Sequence, residues 1–152
     1  MSTPTPPIRI GLIGCGRIAG VHLRHLRALG NAQLVGVCDL DAERARAFAE
    51  GAGVEACSEP SALFRLGVDA VHVLTPPTTH ADTAILALEQ GVHVLVEKPM
   101  ATSAAAARRM EAAAQAGGVG ARRLLDAPAA RDGGAPLARH GIELDFSPRA
   151  SR

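Results

Sequence analysis

The fold of this 152-residue chain is decided by one stretch, Gly11-Leu-Ile-Gly14-Cys-Gly16-Arg-Ile-Ala19-Gly20. The stretch ends the apolar run of residues 8–13 and opens a segment with helical spacing, which predicts a buried strand that turns into a helix. Gly14 permits the tight turn, Gly16 lets the backbone approach a ligand without a Cβ, and Ala19 lets the helix lie close to the strand. The pattern predicts that amides at the start of this helix bind phosphate groups.

A carboxylate follows the next apolar run at the spacing expected for a nucleotide site. Asp39 comes directly after the apolar run at residues 34–38 and lies 20 residues after Ala19. At this position it can bind the ribose hydroxyls of an adenosine. Dinucleotide binding is therefore predicted, with a glycine-rich turn that binds nothing as the alternative. Arg44 and Arg46 leave NADP open, because arginine pairs with a 2′-phosphate. Asp39 would repel that phosphate, so NAD is favoured.

The rest of the chain alternates predicted strands and helices. Continuous apolar strands between helices of about three turns indicate a doubly wound α/β domain, with a parallel sheet covered on both faces. In such sheets ligands bind at the carboxyl ends of the strands. We expect strands at residues 8–13, 34–38, 54–57, 70–74 and 92–96, and helices at 17–29, 41–50, from about 60, at 79–90 and at 102–117.

Polar residues mark where three of these helices begin. Asp41 is the predicted N-cap of the second helix, because its side chain can accept hydrogen bonds from first-turn amides. Thr79 and Asp82 have the spacing of a capping box, and Thr102 or Ser103 is expected to cap the last helix.

The sequence divides into three segments of different character. Residues 1–7 are rich in Pro and Thr and are expected to form a disordered leader, followed by a dinucleotide-binding domain at 8–118. Residues 119–152 are mostly Arg, Ala, Gly and Pro, without the Val/Ile run of a buried strand. This segment predicts a poorly ordered tail, with at most one short strand within 121–125.

Composition argues against several classes of partner. The net charge is only +1, so a basic surface for nucleic acid is not expected. The chain has three Phe and no Tyr or Trp, so an aromatic platform for stacking bases is not expected either. No apolar run has the length of a membrane span. Three cysteines without a CxxC pair, and no signal peptide, favour a cytoplasmic location.

Two further motifs make the interpretation more specific. Thr75-Pro76-Pro77-Thr78-Thr79-His80 and Glu97-Lys98-Pro99 each follow a predicted strand. With the glycine stretch and Asp39, they make residues 8–117 resemble the nucleotide-binding half of the Gfo/Idh/MocA oxidoreductases. This resemblance implies a set of cofactor contacts: Gly14, Cys15, Gly16, Arg17 and Ile18 at the pyrophosphate, Asp39 at the ribose, Thr75, Pro76 and His80 beside the nicotinamide, and Glu97 and Lys98 at the reacting centre.

The resemblance also implies a reaction. Members of this family exchange hydride between a nicotinamide and the carbinol of a sugar or polyol. Lys98 would then manage the proton and Glu97 would orient the lysine or the carboxamide, so these two are the predicted catalytic residues. Pro77 stands where the family usually has Asn, so one possible hydrogen bond to the cofactor is absent.

Family members continue into a second, larger domain that forms the substrate pocket, and no pattern for it is found after residue 118. Turnover by this chain alone is therefore not expected, and self-association through exposed apolar surface is predicted. A non-catalytic nucleotide-binding module is the main alternative. A methyltransferase-like binder of S-adenosylmethionine is a third hypothesis, in which Glu97-Lys98-Pro99 has no role.

The histidines have alternative interpretations. His22 and His25 have the i, i+3 spacing of a metal pair, but no third ligand is evident and a surface helix face is favoured. No metal is therefore predicted. His72 and His93 are expected to be neutral buried or strand-edge residues. Cys15 is interpreted as a small residue that the turn accommodates, although a helix start can activate a thiol.

Overall fold

A six-stranded parallel sheet organises the chain, as seen in a computed structural model that describes residues 6–119 and 121–123. The doubly wound α/β class predicted from the sequence is thus confirmed. The strands are β1 (Ile8–Ile13), β2 (Ala32–Cys38), β3 (Glu55–Cys57), β4 (Ala70–Val73), β5 (His93–Val96) and β6 (Ala121–Arg123). The helices are α1 (Arg17–Ala28), α2 (Ala42–Ala52), α3 (Pro60–Arg65), α4 (His80–Glu89) and α5 (Ala104–Gly117).

The strand order β3-β2-β1-β4-β5-β6 places a reversal of direction at the centre of the sheet. From β1 the chain winds outward through β2 and β3, then returns to β4 on the other side of β1. The connections after β1 and β4 therefore diverge, and a crevice opens between them at the carboxyl ends of these strands. The glycine turn after Ile13 and the segment after Val73 lie at this crevice.

Helices cover both faces of the sheet because successive strand residues point in opposite directions. On one face, strand residues pack with α1 and α2 in a core formed by Ile10, Leu12, Ala19, Leu26, Val37, Ala45 and Ala49. On the other face, strand residues pack with α3, α4 and α5 in a core that includes Leu63, Val71, Val73, Ala84, Leu88, Val96 and Met110.

Two glycines in neighbouring strands allow α3 to pack directly against the sheet. A Cβ added at Gly11 would lie 2.8 Å from Leu63 Cδ2, and one added at Gly36 would lie 2.6 Å from Leu66 Cδ1. These glycines are a matched pair in the parallel register of β1 and β2. Leucine side chains of the α3 region occupy the space that larger residues would take.

The predicted helix caps are confirmed at two positions and wrong at a third, although the third helix also starts where expected. Asp41 accepts hydrogen bonds from the amides of Glu43 and Arg44, and Ser103 accepts one from Ala106. The capping box of Thr79 and Asp82 does not form, because a 3-10 turn at Pro77–Thr79 precedes α4 and the Thr79 hydroxyl contacts Pro76 O at 2.8 Å. Asp82 instead accepts a hydrogen bond from Arg109 at 3.1 Å.

The ends of the elements also refine the prediction. Helix α2 continues through Gly51 to Ala52, since the left-handed residue that ends it is Gly53, at φ 73°. The short strand expected within 121–125 is present as β6, parallel to β5. Most of the predicted leader and tail, at residues 1–5 and 124–152, lies outside the described residues. Among α1 to α5, the helices that are described, none has the length and apolar character needed to cross a membrane.

Candidate cofactor-binding site

The turn between β1 and α1 requires glycine at position 14. Gly14 has φ +103°, a region that other residues seldom adopt, and a Cβ there would lie 2.8 Å from the carbonyl carbon of Leu74. Its amide donates to Cys38 O at 2.8 Å. The turn is therefore held between the ends of β2 and β4.

Gly16 creates open space at the start of α1. It is the N-cap residue at φ −75°, and no side chain caps the helix there. A Cβ added at Gly16 would have no heavy atom within 4 Å. An uncapped first turn presents main-chain N–H groups and the positive end of the helix dipole to an anion. These features fit a phosphate group, whose approach a side chain at position 16 would hinder.

Asp39 is built into the glycine turn. The Cys15 amide donates to Asp39 Oδ2 at 2.7 Å, and the Asp41 amide donates to Asp39 Oδ1 at 2.8 Å. The Asp39 side chain is only 9 % exposed. Two main-chain donors thus hold the carboxylate at the rim of the crevice, where its remaining lone pairs can accept from sugar hydroxyls.

The hydrogen bonds within the turn divide the predicted pyrophosphate residues into two groups. The amides of Gly14 and Cys15 already donate to Cys38 and Asp39, so the donors that face a ligand belong to residues 16–18. Gly14 and Cys15 therefore form the turn, and the main-chain amides of Gly16, Arg17 and Ile18 are the ones expected to bind a phosphate group. Ile18 is 38 % exposed, which places an apolar side chain beside this first turn.

Arg44 lies next to Asp39 but is already paired. Its guanidinium lies 3.5 Å from Asp39 Oδ1 and 3.4 Å from Asp41 Oδ2, and its side chain is 53 % exposed. Arg46 pairs instead with Glu43 on the same helix. A 2′-phosphate at this position would meet two carboxylates as well as the arginine, so the local charge disfavours it.

His80 joins the two motif loops. The ring is 1 % exposed, with Nε2 2.6 Å from Thr75 O and Nδ1 2.8 Å from Pro99 O. Carbonyl oxygens only accept hydrogen bonds, so a neutral ring can satisfy one contact and a protonated ring both. His80 thereby holds the segment after β4 against the turn after β5, and brings Thr75, Pro76 and Glu97-Lys98-Pro99 to one edge.

Glu97 is oriented by contacts on both carboxylate oxygens. Oε1 lies 2.8 Å from His22 Nε2, and Oε2 accepts the Lys98 amide at 3.2 Å. The Glu97 side chain is 15 % exposed, whereas Lys98, in the turn after β5, is exposed. The peptide bond that links Lys98 to Pro99 is cis.

The prediction of a surface position for His22 is wrong. His22 is 5 % exposed because it lies on the inward face of α1 with Ala19 and Leu26, and Glu97 and His72 satisfy its ring nitrogens. The spacing of residues 19, 22 and 26 was a signal in the sequence for this burial. Across residues 6–119 and 121–123, no three His, Cys, Asp or Glu side chains come together as a metal site.

The prediction for His72 is confirmed. His72 is 4 % exposed, and burial, followed by the nearby His22, lowers its pKa to about 3. The ring is therefore neutral near pH 7. Burial also lowers the pKa of the half-buried His93 on β5. Sequence reasoning did not anticipate that His22, His72 and Glu97 come into contact.

The thiols of the two cysteines near the site have raised pKa values. Burial, together with the charge of Asp39, raises the pKa of Cys15 to about 12, and burial raises that of Cys38 to about 11. The helix start therefore does not activate Cys15. Its thiol, 6 % exposed, packs in the core below the turn, as its interpretation as a small accommodated residue requires.

Comparison with known proteins supports the interpretation of this crevice. Residues 8–121 match a family model described as an oxidoreductase family with an NAD-binding Rossmann fold. An inositol 2-dehydrogenase of Renibacterium salmoninarum is 37 % identical over 105 residues, which cover 68 % of this chain and 32 % of the relative. A D-glucoside 3-dehydrogenase of Escherichia coli is 36 % identical over 107 residues, which cover 68 % of this chain and 30 % of the relative.

Solved structures of nicotinamide-dependent enzymes are also similar to this chain. The WlbA dehydrogenase of Bordetella pertussis, crystallised with NADH and UDP-GlcNAcA, superposes with a TM-score of 0.75 at 36 % identity, over 78 % of this chain and 37 % of that one. A 3-ketoreductase of Actinomadura kijaniata, crystallised with NADP, gives 0.72 at 37 % identity, over 77 % and 38 %. The chain thus spans about a third of the length of the proteins it matches.

Proposed function

Because the chain belongs to the Gfo/Idh/MocA oxidoreductase family, we propose that it binds NAD and forms the cofactor-binding part of an enzyme acting on a CH–OH group of a sugar or polyol. Dehydrogenases of inositol and of a D-glucoside are among its relatives. The chain covers only 32 % and 30 % of the lengths of these relatives. The substrate class is therefore a proposal that is taken from them.

The observation that carries the proposal is the pairing of the uncapped start of α1 with Asp39. The first-turn amides offer donors and a positive dipole end to a diphosphate. The Cys15 amide, at 2.7 Å, holds Asp39 beside them as an acceptor for ribose hydroxyls. These two parts match the two ends of an adenosine diphosphate group.

NAD is proposed over NADP on electrostatic grounds. Asp39 and Asp41 both lie within 3.5 Å of the Arg44 guanidinium, so the arginine's charge is already compensated. A 2′-phosphate would have to displace these carboxylates to use Arg44. Both cofactors occur in the structural relatives, one of which is crystallised with NADH and another with NADP.

The roles of the remaining predicted residues are part of the same proposal, and their positions at one edge of the sheet support it. A bound nicotinamide would supply hydride transfer to or from the substrate carbon. Lys98, exposed in the turn after β5, is proposed to exchange the proton of the substrate oxygen. Glu97, whose two oxygens contact His22 and the Lys98 amide, is proposed to orient the lysine or the carboxamide. His80 contacts Thr75 O and Pro99 O, and so holds the segment of Thr75 and Pro76 against the turn after β5.

The test is a titration of the full chain with NADH, followed by fluorescence, in parallel with NADPH and S-adenosylmethionine. Saturable NADH binding that is tighter than NADPH binding supports the proposal. Binding of S-adenosylmethionine in preference to NADH would contradict it and favour the methyltransferase-like alternative. Hydride turnover is then measured with a panel of inositols and hexoses. NADH binding without turnover would favour the non-catalytic nucleotide-binding module.

Two further expectations about partners also stay predictions. Self-association through exposed apolar surface is proposed, and Leu40, 104 % exposed, and Leu86, 41 % exposed, are apolar side chains on the surface of the described part. Light scattering of the purified chain tests this, and a monodisperse monomer would contradict it. No affinity for nucleic acid is expected at a net charge of +1, which a filter-binding assay with duplex DNA would check.

A further inference from the structure

A chain of three side chains connects the sheet interior to the candidate reaction site. His72 on β4 lies with its Nδ1 2.9 Å from Nδ1 of His22 on α1. His22 Nε2 in turn lies 2.8 Å from Glu97 Oε1, in the turn after β5. The two imidazoles are 4 % and 5 % exposed, so water does not compete for these contacts.

The partners determine where the hydrogens lie. A carboxylate only accepts hydrogen bonds, so the contact with Glu97 requires a hydrogen on His22 Nε2. A neutral His22 then has a bare Nδ1, and His72 must donate to it from its own Nδ1. This tautomer leaves His72 Nε2 without a hydrogen.

The rest of the structure agrees with this assignment. Within the described residues, His72 Nε2 is the one buried side-chain nitrogen or oxygen that has no hydrogen-bond partner. If His22 were protonated on both nitrogens, His72 would have to accept at Nδ1 and bury an unpaired N–H at Nε2, which is costly. Burial also lowers the pKa of His72 to about 3, which keeps its ring neutral.

We infer that His72 is a positioning residue for the reaction proposed above: acting through His22, it holds the Glu97 carboxylate in one orientation at the nicotinamide side of the site. The inference rests on the proposed function. His72 itself lies beneath the surface, in the middle of β4, and reaches Glu97 only through His22. Its role is to fix the tautomer and ring angle of His22, as outer partners do for ligating histidines at metal sites.

The chemical consequence concerns the charge of the cofactor. Glu97 accepts hydrogen bonds from His22 Nε2 and from the Lys98 amide, so it acts as a fixed anion and not as a proton carrier. The nicotinamide ring is cationic when oxidised and neutral when reduced. A carboxylate fixed near the ring attracts its cationic, oxidised form. This attraction falls as the distance between the two charges grows. Releasing Glu97 should therefore weaken NAD⁺ binding more than NADH binding.

The first experiment reads the tautomers directly, without cofactor. In ¹⁵N ring NMR spectra of the full chain, we expect His72 as the Nδ1–H tautomer and His22 with its hydrogen on Nε2. Glu97→Gln and His72→Leu should each change the His22 ring signals, whereas His25→Gln, a matched histidine loss on α1, should leave them unchanged. A hydrogen on His72 Nε2, or His22 signals that are unaltered in His72→Leu, would overturn the inference.

The second experiment measures the ratio of the dissociation constants for NAD⁺ and NADH. In His72→Leu and His22→Gln we expect the ratio to rise about fivefold, the low end of typical site-to-site coupling. His72→Asn places an amide N–H near the position of Nδ1 and should restore most of the wild-type ratio. If circular dichroism shows that His72→Leu does not fold, His22→Gln decides the matter, because a wild-type ratio in that variant would overturn the inference.

The two proposals fail in different ways. If wild-type protein shows the expected tautomers but binds neither nucleotide, the proposed function is overturned and the positioning role with it. If it binds both, and the ratio is the same in wild type, His72→Leu and His72→Asn, only the positioning role is overturned.

Discussion

Gly14 and Gly16 lie two residues apart in the same turn, but they are constrained in different ways. Gly14 has a left-handed φ, and its Cα faces the backbone of Leu74. Gly16 has an ordinary φ of −75° and open space where a Cβ would be. The first is a requirement of the fold, and the second is a requirement of the proposed phosphate contact.

We therefore predict that alanine at position 14 affects stability and that alanine at position 16 affects ligand binding. Gly14→Ala should lower the free energy of unfolding by about 1–3 kcal/mol, because a Cβ would meet backbone atoms and φ would be strained. Gly16→Ala should leave stability nearly unchanged but weaken NADH binding about tenfold or more, a loss of at least about 1.4 kcal/mol. Urea denaturation and fluorescence titration measure the two effects.

Gly20 provides the matched control. It lies inside α1, also with open space around an added Cβ, so Gly20→Ala should raise helix stability by roughly 0.5–1 kcal/mol and leave NADH binding unchanged. Equal losses of binding in Gly16→Ala and Gly20→Ala would show that the space at Gly16 has no special role.

Asp39 also acts at the residue scale, through its charge. Asp39→Asn keeps an oxygen that can accept from the Cys15 amide but removes the repulsion of a 2′-phosphate, while Arg44 remains nearby. We predict that affinity for NADPH relative to NADH rises about tenfold. Parallel titrations measure this ratio. The double variant that also carries Arg44→Gln should lose the gain, and an unchanged ratio in Asp39→Asn would contradict the assignment of Asp39 to the ribose.

At the scale of elements, the site depends on how two loops are tied together. The segment after β4 and the turn after β5 come from neighbouring parallel strands and share no backbone ladder beyond the strand ends. His80, at the start of α4, contacts a carbonyl in each of them. One buried side chain thus sets the relative position of Thr75 and Pro99.

Replacing this side chain should loosen both loops. His80→Phe keeps a ring in the buried position but removes every ring N–H, so at least one of the carbonyls of Thr75 and Pro99 loses its donor, at a cost of about 1–3 kcal/mol. We predict faster amide hydrogen exchange in peptides that cover residues 75–80 and 97–100, with little change in β1. His25→Gln serves as the control for histidine loss. Unchanged exchange in both loop peptides would show that His80 does not hold them together.

At the scale of the whole molecule, the buried His72 should make stability depend on pH. Its pKa in the fold is about 3, below the usual value of 6.5, so between these values the unfolded chain takes up a proton that the folded chain does not. Stability is therefore lost as the pH falls. From pH 7 to pH 5, His72 should account for a decrease of about 2 kcal/mol in the free energy of unfolding.

Urea denaturation of wild type and His72→Leu at pH 5, 6 and 7 measures this contribution. The decrease from pH 7 to pH 5 should be smaller in the variant by about 2 kcal/mol. Burial also lowers the pKa of His93 and has the same sign, but His93 is present in both proteins and its effect cancels. Parallel pH profiles for the two proteins would show that His72 is not kept neutral by the fold.

The sequence by itself determined the features that depend on residues close together in the chain. The alternation of apolar strands and helices, the glycine turn, the caps at Asp41 and Ser103, and the position of Asp39 after β2 are all properties of short segments. Local patterns failed where a competing contact was stronger, as at Thr79, whose hydroxyl bonds to the preceding turn.

Only the tertiary structure decided which side chains meet at the carboxyl ends of the strands. Cys15 and Asp39 are 24 residues apart, His22 and His72 are 50 apart, and His22 and Glu97 are 75 apart. No pattern within one segment specifies such pairs, because they depend on strand order and register across the sheet. Parallel strands bring their ends to one edge, and there the buried polar groups must find partners in one another.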